Sequence, residues 1–171
     1  MSDLPFSHFV RLADLPPEGR TFRIEPDART LEALARHVDV VQIHAVCAQL
    51  KVQPTSGDGA HVTGEVAATV RQVSVVSLEA FDCDVTEFVD VQFVPESQIP
   101  AEPKGEEDEV EVNQPDPIVD GRIDLGALVT EFLTLGVDPY PRRAGEVFDA
   151  PLDDESGASP FAALGRLKDK T

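Results

Sequence analysis

The side chains best suited to chemistry are few and widely spaced along this sequence. The four histidines, His8, His37, His44 and His61, form neither a His-x-His nor a His-Glu-x-x-His spacing, so the usual zinc signatures do not occur. His44 and His61 fall on two predicted strands that we expect to pair, where the two rings could face each other. The simpler interpretation is that both are ordinary strand or surface histidines.

An acidic run at residues 106–109, Glu-Glu-Asp-Glu, is the cluster that most resembles a Mg²⁺ site. A hydrolytic metal site needs carboxylates held by rigid elements at about 2.0–2.1 Å from the ion. Consecutive acids in a proline-rich segment point in different directions, so we expect no metal there. The sequence also contains no nucleophile elbow, phosphate-binding glycine loop or dinucleotide fingerprint. We therefore predict a protein that is not an enzyme and uses no metal or cofactor, with an uncharacterised hydrolase as the remaining alternative.

Two cysteines, Cys47 and Cys83, lie on separate predicted strands. Two cysteines in a chain of this size do not form a secreted disulfide scaffold. We interpret both as small core residues, because free cysteine behaves as a small apolar side chain. A disulfide between them, or a thiol catalyst, is the alternative interpretation.

The formal net charge is -18 over 171 residues. Such an excess repels nucleic acid and anionic membranes at long range, and it argues against broad, nonspecific phosphate binding. The acids either form a solvated surface or attract a basic protein partner. The first ten residues do not resemble a signal peptide, and no stretch approaches the roughly 18 apolar residues of a membrane span. We expect a cytoplasmic protein that contacts no membrane and takes no small-molecule substrate.

Hydrophobic periodicity predicts a mixture of strands and helices. Asp27 caps a first helix, and Asp124 caps a second helix over residues 124–135. In the last long strand, apolar and polar residues alternate, which is typical of an antiparallel sheet with one buried face. The predicted strands cover residues 6–12, 21–25, 40–53, 61–76 and 81–93.

These elements predict an α+β fold in which an antiparallel sheet or partly open barrel packs against one or two helices. We expect a single domain over residues 1–140, with an acidic, proline-rich loop at about 95–117. Residues 141–171 form a C-terminal tail in which Ser159 and Pro160 begin a short helix. A helix this short is marginal alone, so it docks either on its own domain or on a partner. The candidate partner or RNA contacts are Arg142, Arg143, Phe161, Leu164, Arg166, Lys168 and Lys170.

Three stretches, in this order and spacing, resemble the YceD family of large ribosomal RNA subunit accumulation proteins. The first is Gly-Glu-Val-Ala-Ala-Thr-Val at residues 64–70, leading to Phe81. The second is Gly-Arg-Ile-Asp-Leu at residues 121–125, whose helix ends before Pro139 and Pro141. The third is Ser-Pro-Phe-Ala-Ala-Leu-Gly-Arg-Leu-Lys at residues 159–168.

The resemblance implies a role in the accumulation of 23S rRNA, without known catalytic activity. Many members carry a Cys-x-x-Cys at the positions of Ser74 and Ser77, but hydroxyls cannot replace thiolates on zinc. This chain is therefore similar to alphaproteobacterial members without the pair, and no metal or redox role carries over.

The partner implied is a ribosomal protein, an assembly factor or 23S rRNA itself, reached directly or indirectly. Because the chain is so acidic, we favour indirect action through a basic ribosomal protein or an assembly factor. The alternative is a direct RNA-binding module with a local basic patch.

Overall fold

The computed structural model describes residues 4–99 and 115–147, which form seven strands and two α-helices. In chain order these are β1 (Phe9–Arg11), β2 (Arg20–Ile24), α1 (Ala28–His37), β3 (Gln42–Thr55), β4 (Gly59–Val73), β5 (Ala80–Pro95), β6 (Asp116–Ile118), β7 (Arg122–Asp124) and α2 (Leu125–Gly136).

Strands β3, β4 and β5 form a long antiparallel meander that dominates the structure. Strand β2 extends this sheet by antiparallel pairing with β3, and β6 pairs in parallel with β5 at the opposite edge. The sheet is open, in the order β2-β3-β4-β5-β6, and β1 and β7 form a separate antiparallel pair. The predicted α+β class is confirmed, with an open sheet rather than a closed barrel.

The two faces of the sheet differ sharply in burial. In β5, Val85, Val89 and Phe93 are buried, whereas Asp90 and Gln92, between Val89 and Phe93 in sequence, are exposed. The same alternation continues across the register into β4 and β3. Because strand residues alternate between faces, one face of the meander meets the core and the other, here called the outer face, meets solvent.

Both helices begin where the sequence predicts, each at an aspartate. The Asp27 carboxylate accepts a hydrogen bond of 2.9 Å from the backbone N–H of Thr30, and Leu34 and Ala35 turn the apolar side of α1 into the core. Helix α2 packs on the core face of β4 and β5, and its buried residues include Leu128 and Leu133. The apolar periodicity therefore reflects the buried side of each helix.

Asp124 joins three parts of the chain at the start of α2. Its Oδ1 accepts hydrogen bonds from the backbone N–H groups of Gly126 (2.9 Å) and Ala127 (3.2 Å), and from that of His8 (2.7 Å). A side chain at Gly126 would place its Cβ only 2.7 Å from the Cα of Ser7, so glycine is needed for this close approach. The N-terminal segment is thereby held against α2.

Strands β1 and β2 fall where strands were predicted, whereas β6 and β7 were not predicted. Strand β6 begins at Asp116, where the predicted acidic loop ends, and β7 occupies Arg122–Asp124 just before α2. Three residues are too few to show a period of two, and Pro117 is tolerated because β6 is an edge strand. Of the two helices in the described ranges, neither combines the length and apolarity that a bilayer crossing requires.

Replacing Asp124 with alanine is expected to destabilise the fold more than replacing Asp27. Asp27→Ala removes one capping bond, which costs about 1 kcal/mol. Asp124→Ala removes a cap and also leaves the N–H of His8 without its partner, so we expect a loss of about 2–3 kcal/mol. Urea unfolding of both variants measures the free energies, and equal losses would contradict the joining role of Asp124.

Candidate interaction sites

The predicted histidine dyad does not form. His44 and His61 lie on the outer face at opposite ends of the β3–β4 hairpin, and each pairs with an aspartate of β5 instead. The Nε2 of His44 is 3.0 Å from Asp82 Oδ1, and that of His61 is 2.7 Å from Asp90 Oδ1. The prediction that the two rings could face each other is wrong because the register places His61 opposite Gln53, at the other end of β3 from His44.

The two cysteines lie on opposite faces of the sheet, so a disulfide between them is excluded. Cys83 packs against the core, as predicted, and its thiol contacts Gln72 Oε1 at 3.3 Å. Burial, together with the charges of Asp84 and its acidic neighbours, raises the pKa of the Cys83 thiol, which makes it a poor nucleophile. The interpretation of Cys47 as a core residue is wrong, because its side chain belongs to the half-exposed outer face.

Within residues 4–99 and 115–147, no three His, Cys, Asp or Glu side chains come close enough together to hold a metal ion. The acidic run at residues 106–109 lies outside the described residues. The same is true of the candidate contacts Phe161, Leu164, Arg166, Lys168 and Lys170.

The turn between β4 and β5 contains Ser74 and Ser77. The buried Ser74 Oγ accepts hydrogen bonds from the backbone N–H groups of Val76 (3.1 Å) and Ser77 (3.3 Å). The Ser74 hydroxyl donates to Oε2 of Glu146, and the Ser77 hydroxyl donates to Oε1 at 2.6 Å. The two serines therefore hold a carboxylate from 69 and 72 residues further along the chain. We call Ser74, Ser77 and Glu146 the carboxylate clasp.

Arg143, one of the candidate contacts, supports the clasp rather than standing free. Its backbone N–H donates to Glu146 Oε2 at 3.1 Å, and its guanidinium pairs with Glu79 at 3.2 Å. The same guanidinium lies 6.0 Å from the ring centroid of Phe81, within cation–π range. The neighbouring candidate, Arg142, is exposed. The two arginines are adjacent, but only Arg142 is left open to solvent contacts of its own.

Hydrogen bonds lower the pKa of the Glu146 carboxyl from its ordinary value. The bond from Ser74 contributes most, followed by that from Ser77, and the backbone N–H and charge of Arg143 add to them. Donors to a carboxylate favour its charged form, so the clasp is made at neutral pH.

A groove of about 480 Å³ lies beside the clasp, between the start of β3, the end of β4 and the segment after α2. Its walls are mainly apolar, and Val41, Val73 and Val75 are 58%, 42% and 45% exposed there. Its acidic residues are Asp39 and Asp138. We call this the valine groove.

A second pocket, of about 280 Å³, brings together two carboxyls that are distant in sequence, Asp116 of β6 and Glu131 of α2. Phe9, Phe93 and Leu128 supply much of its apolar wall. Burial raises the pKa of both carboxyls, and the charge of Asp116 raises that of Glu131 further. We call this the acidic pocket. Sequence reasoning missed it because nothing in either residue's local pattern indicates that they meet.

The outer face carries one large apolar side chain in a polar setting. Phe88 is 77% exposed and lies opposite Glu65, and its neighbours on the same face of β5 are the polar Thr86 and Asp90. Nearby, Asp82 pairs with Arg71 at 3.6 Å as well as with His44. As the apolar exception in a polar alternation, Phe88 could have been identified from the sequence.

Removing the two hydroxyls of the clasp is expected to raise the pKa of Glu146 toward the ordinary glutamate value. A lowered pKa in the folded protein stabilises the fold fully above the ordinary glutamate value of about 4.3, and this stabilisation is lost as pH falls through the lower folded value. We expect the carboxyl carbon of Glu146, followed by NMR, to titrate at higher pH in Ser74→Ala/Ser77→Ala than in the unmodified chain. Ser7→Ala is the control, and an unchanged titration in the double variant would contradict the clasp.

The acidic pocket is expected to destabilise the fold at neutral pH. A raised folded pKa stabilises the fold below the ordinary carboxyl value and loses that contribution as pH rises through the folded value. Asp116→Asn should therefore lower the pKa of Glu131 and raise the melting temperature at pH 7, with a gain below about 1 kcal/mol because water screens the pair. The gain in melting temperature should be smaller at pH 4, because both carboxyls are then more often protonated in the unmodified chain. The exposed Asp14→Asn serves as the control, and a gain that does not depend on pH would count against the explanation.

The chain was compared with known protein families, curated proteins and solved structures. The family described as "Large ribosomal RNA subunit accumulation protein YceD" matches residues 62–168, which is more than half of the chain. That range includes most of β4, all of β5 and α2, and both serines of the clasp. No curated protein and no solved structure matches. The chain belongs to the YceD family, whose name implies a role in accumulation of the large ribosomal RNA subunit.

Proposed function

We propose that this protein is a non-enzymatic accessory factor for 23S rRNA accumulation and large ribosomal subunit biogenesis in the bacterial cytoplasm. It acts through contacts with a ribosomal protein, an assembly factor or the 23S rRNA, and it makes or breaks no covalent bond. The family membership supports the ribosomal role. The observation that carries the contact role is the outer face, with Phe88 exposed among charged side chains.

The composition of the outer face suits a protein interface. Interfaces place aromatic anchors in a central patch and surround them with polar side chains. Phe88 is such an anchor, because burying a phenylalanine side chain fully is worth about 1.5–3 kcal/mol. The surrounding aspartates, including Asp84 and Asp90, suit a partner that presents lysines and arginines.

The charge distribution favours a basic protein partner over direct binding to RNA. Several arginines of the described ranges are already paired with carboxylates: Arg23 with Glu25, Arg122 with Asp120, and Arg143 with Glu79. RNA binding needs cations free to displace counterions from phosphates. Direct contact with RNA would rest on Arg142 together with Arg166, Lys168 and Lys170 of the tail.

Loss of the protein is expected to lower 23S rRNA relative to 16S rRNA in the host bacterium. A gene for the Phe88→Ser variant should restore the ratio poorly, because it removes the proposed anchor from a solvent-facing position. Leu135→Ser, at an α2 side chain that is 69% exposed, is the matched control and should restore it fully. Northern blots give the ratio, and thermal unfolding confirms that both variants fold.

A normal 23S rRNA level in cells without the protein would refute the proposed role. Affinity capture with and without RNase separates the partner classes. We expect capture of a basic protein that survives RNase, whereas loss of all partners on RNase treatment would indicate RNA contact.

A further inference from the structure

The valine groove presents an apolar surface that the described residues leave open. Val41, Val73 and Val75 are partly exposed there, although each belongs to or borders a strand of the main sheet. Exposed apolar side chains are ordinary when scattered, but a cluster in one concave surface indicates something that covers it. The groove is also acidic, through Asp39 and Asp138.

The chain itself arrives beside this groove. The clasp fixes Glu146 to Ser74 and Ser77, the residues that bracket Val75 in the turn. The backbone adds to this, since the N–H of Val75 donates to the carbonyl of Pro141 at 2.9 Å. Residues 148–171 therefore continue from a point held next to the groove.

We propose that residues 159–168 of this chain occupy the valine groove. Phe161, Leu164 and Leu167 recur at helical spacing and supply apolar side chains for the exposed valines. Arg166 and Lys168 supply positive charge for Asp39 and Asp138. Phe161 and Leu164 thus contact their own domain, while the remaining basic residues stay available to a partner. The proposal goes beyond the role in rRNA accumulation and does not depend on it.

Distance and tethering favour the tail over other occupants. The 13 residues between Val147 and Phe161 span about 40 Å when extended, which exceeds what reaching a groove beside the clasp requires. A short tether holds a segment at a local concentration in the millimolar range, far above that of a second copy in a dilute solution. The acidic groove and the basic segment also attract each other, whereas the acidic body of a second copy would be repelled.

Methyl NMR of the full chain tests the proposal. We compare the unmodified protein with Phe161→Ala/Leu164→Ala and follow the methyl resonances of Val41, Val73 and Val75. The expected result is a change confined to these valines, since they lose the Phe161 ring. The methyls of Val119, an exposed valine outside the groove, should not move and also report that the variant is folded. No change at the groove valines, or a change elsewhere, would overturn the proposal.

Two further measurements identify the occupant. If the groove resonances of the unmodified protein move toward those of the variant on dilution, the occupant is the tail of a second copy and the proposal fails. Asp39→Asn should reduce the tail-dependent shifts, because it removes a charge that the tail faces. Asp58→Asn is the matched control, since both aspartates have a left-handed backbone, with φ of 57° and 60°, that asparagine tolerates. Equal shifts in the two variants would also overturn the proposal.

Discussion

The architecture depends on burying one face of the long β3–β4–β5 meander and leaving the other in water. Successive residues of a strand point to opposite faces, so the sequence commits Val62, Val66 and Val70 of β4 to the core together. Both helices then contribute to the same core. A helix could cover the outer face of the sheet only if that face carried apolar side chains, which its positions lack. The outer face is left to polar pairs such as His61 with Asp90, and to Phe88.

The carboxylate clasp gives the β4–β5 turn a positional role. Ser74 and Ser77 carry hydroxyls, which donate hydrogen bonds and therefore suit a carboxylate. Glu146 supplies that carboxylate, and its hydrogen bonds tie the segment after α2 to the β4–β5 turn. In this chain the turn therefore fixes where the C-terminal segment leaves the domain, by means that require no metal and no change of oxidation state.

The sequence predicts features that arise from local periodicity and fails for those that depend on register. The caps Asp27 and Asp124 and the three long strands follow from patterns within about fifteen residues, and all of them form. The partners of His44 and His61 depend on the register in which β3, β4 and β5 pair, which no local pattern reveals. The clasp and the acidic pocket likewise join residues that are far apart in sequence, through contacts visible only once the sheet and α2 are assembled.

The charge of the chain acts at two ranges. At long range, a net charge of -18 steers basic proteins toward the molecule and RNA away from it, which affects encounter rates more than the lifetime of a complex. At short range, four arginines of the described ranges pair with a neighbouring carboxylate, among them Arg71 with Asp82 and Arg143 with Glu79. The lifetime of a complex must then come from desolvated contacts, and on the outer face Phe88 is the side chain with the apolar area to provide them. In the proposed function, an acidic protein serves ribosomal RNA through a basic protein partner, because the electrostatic field of the chain selects that class of partner and the exposed Phe88 ring supplies the apolar contact.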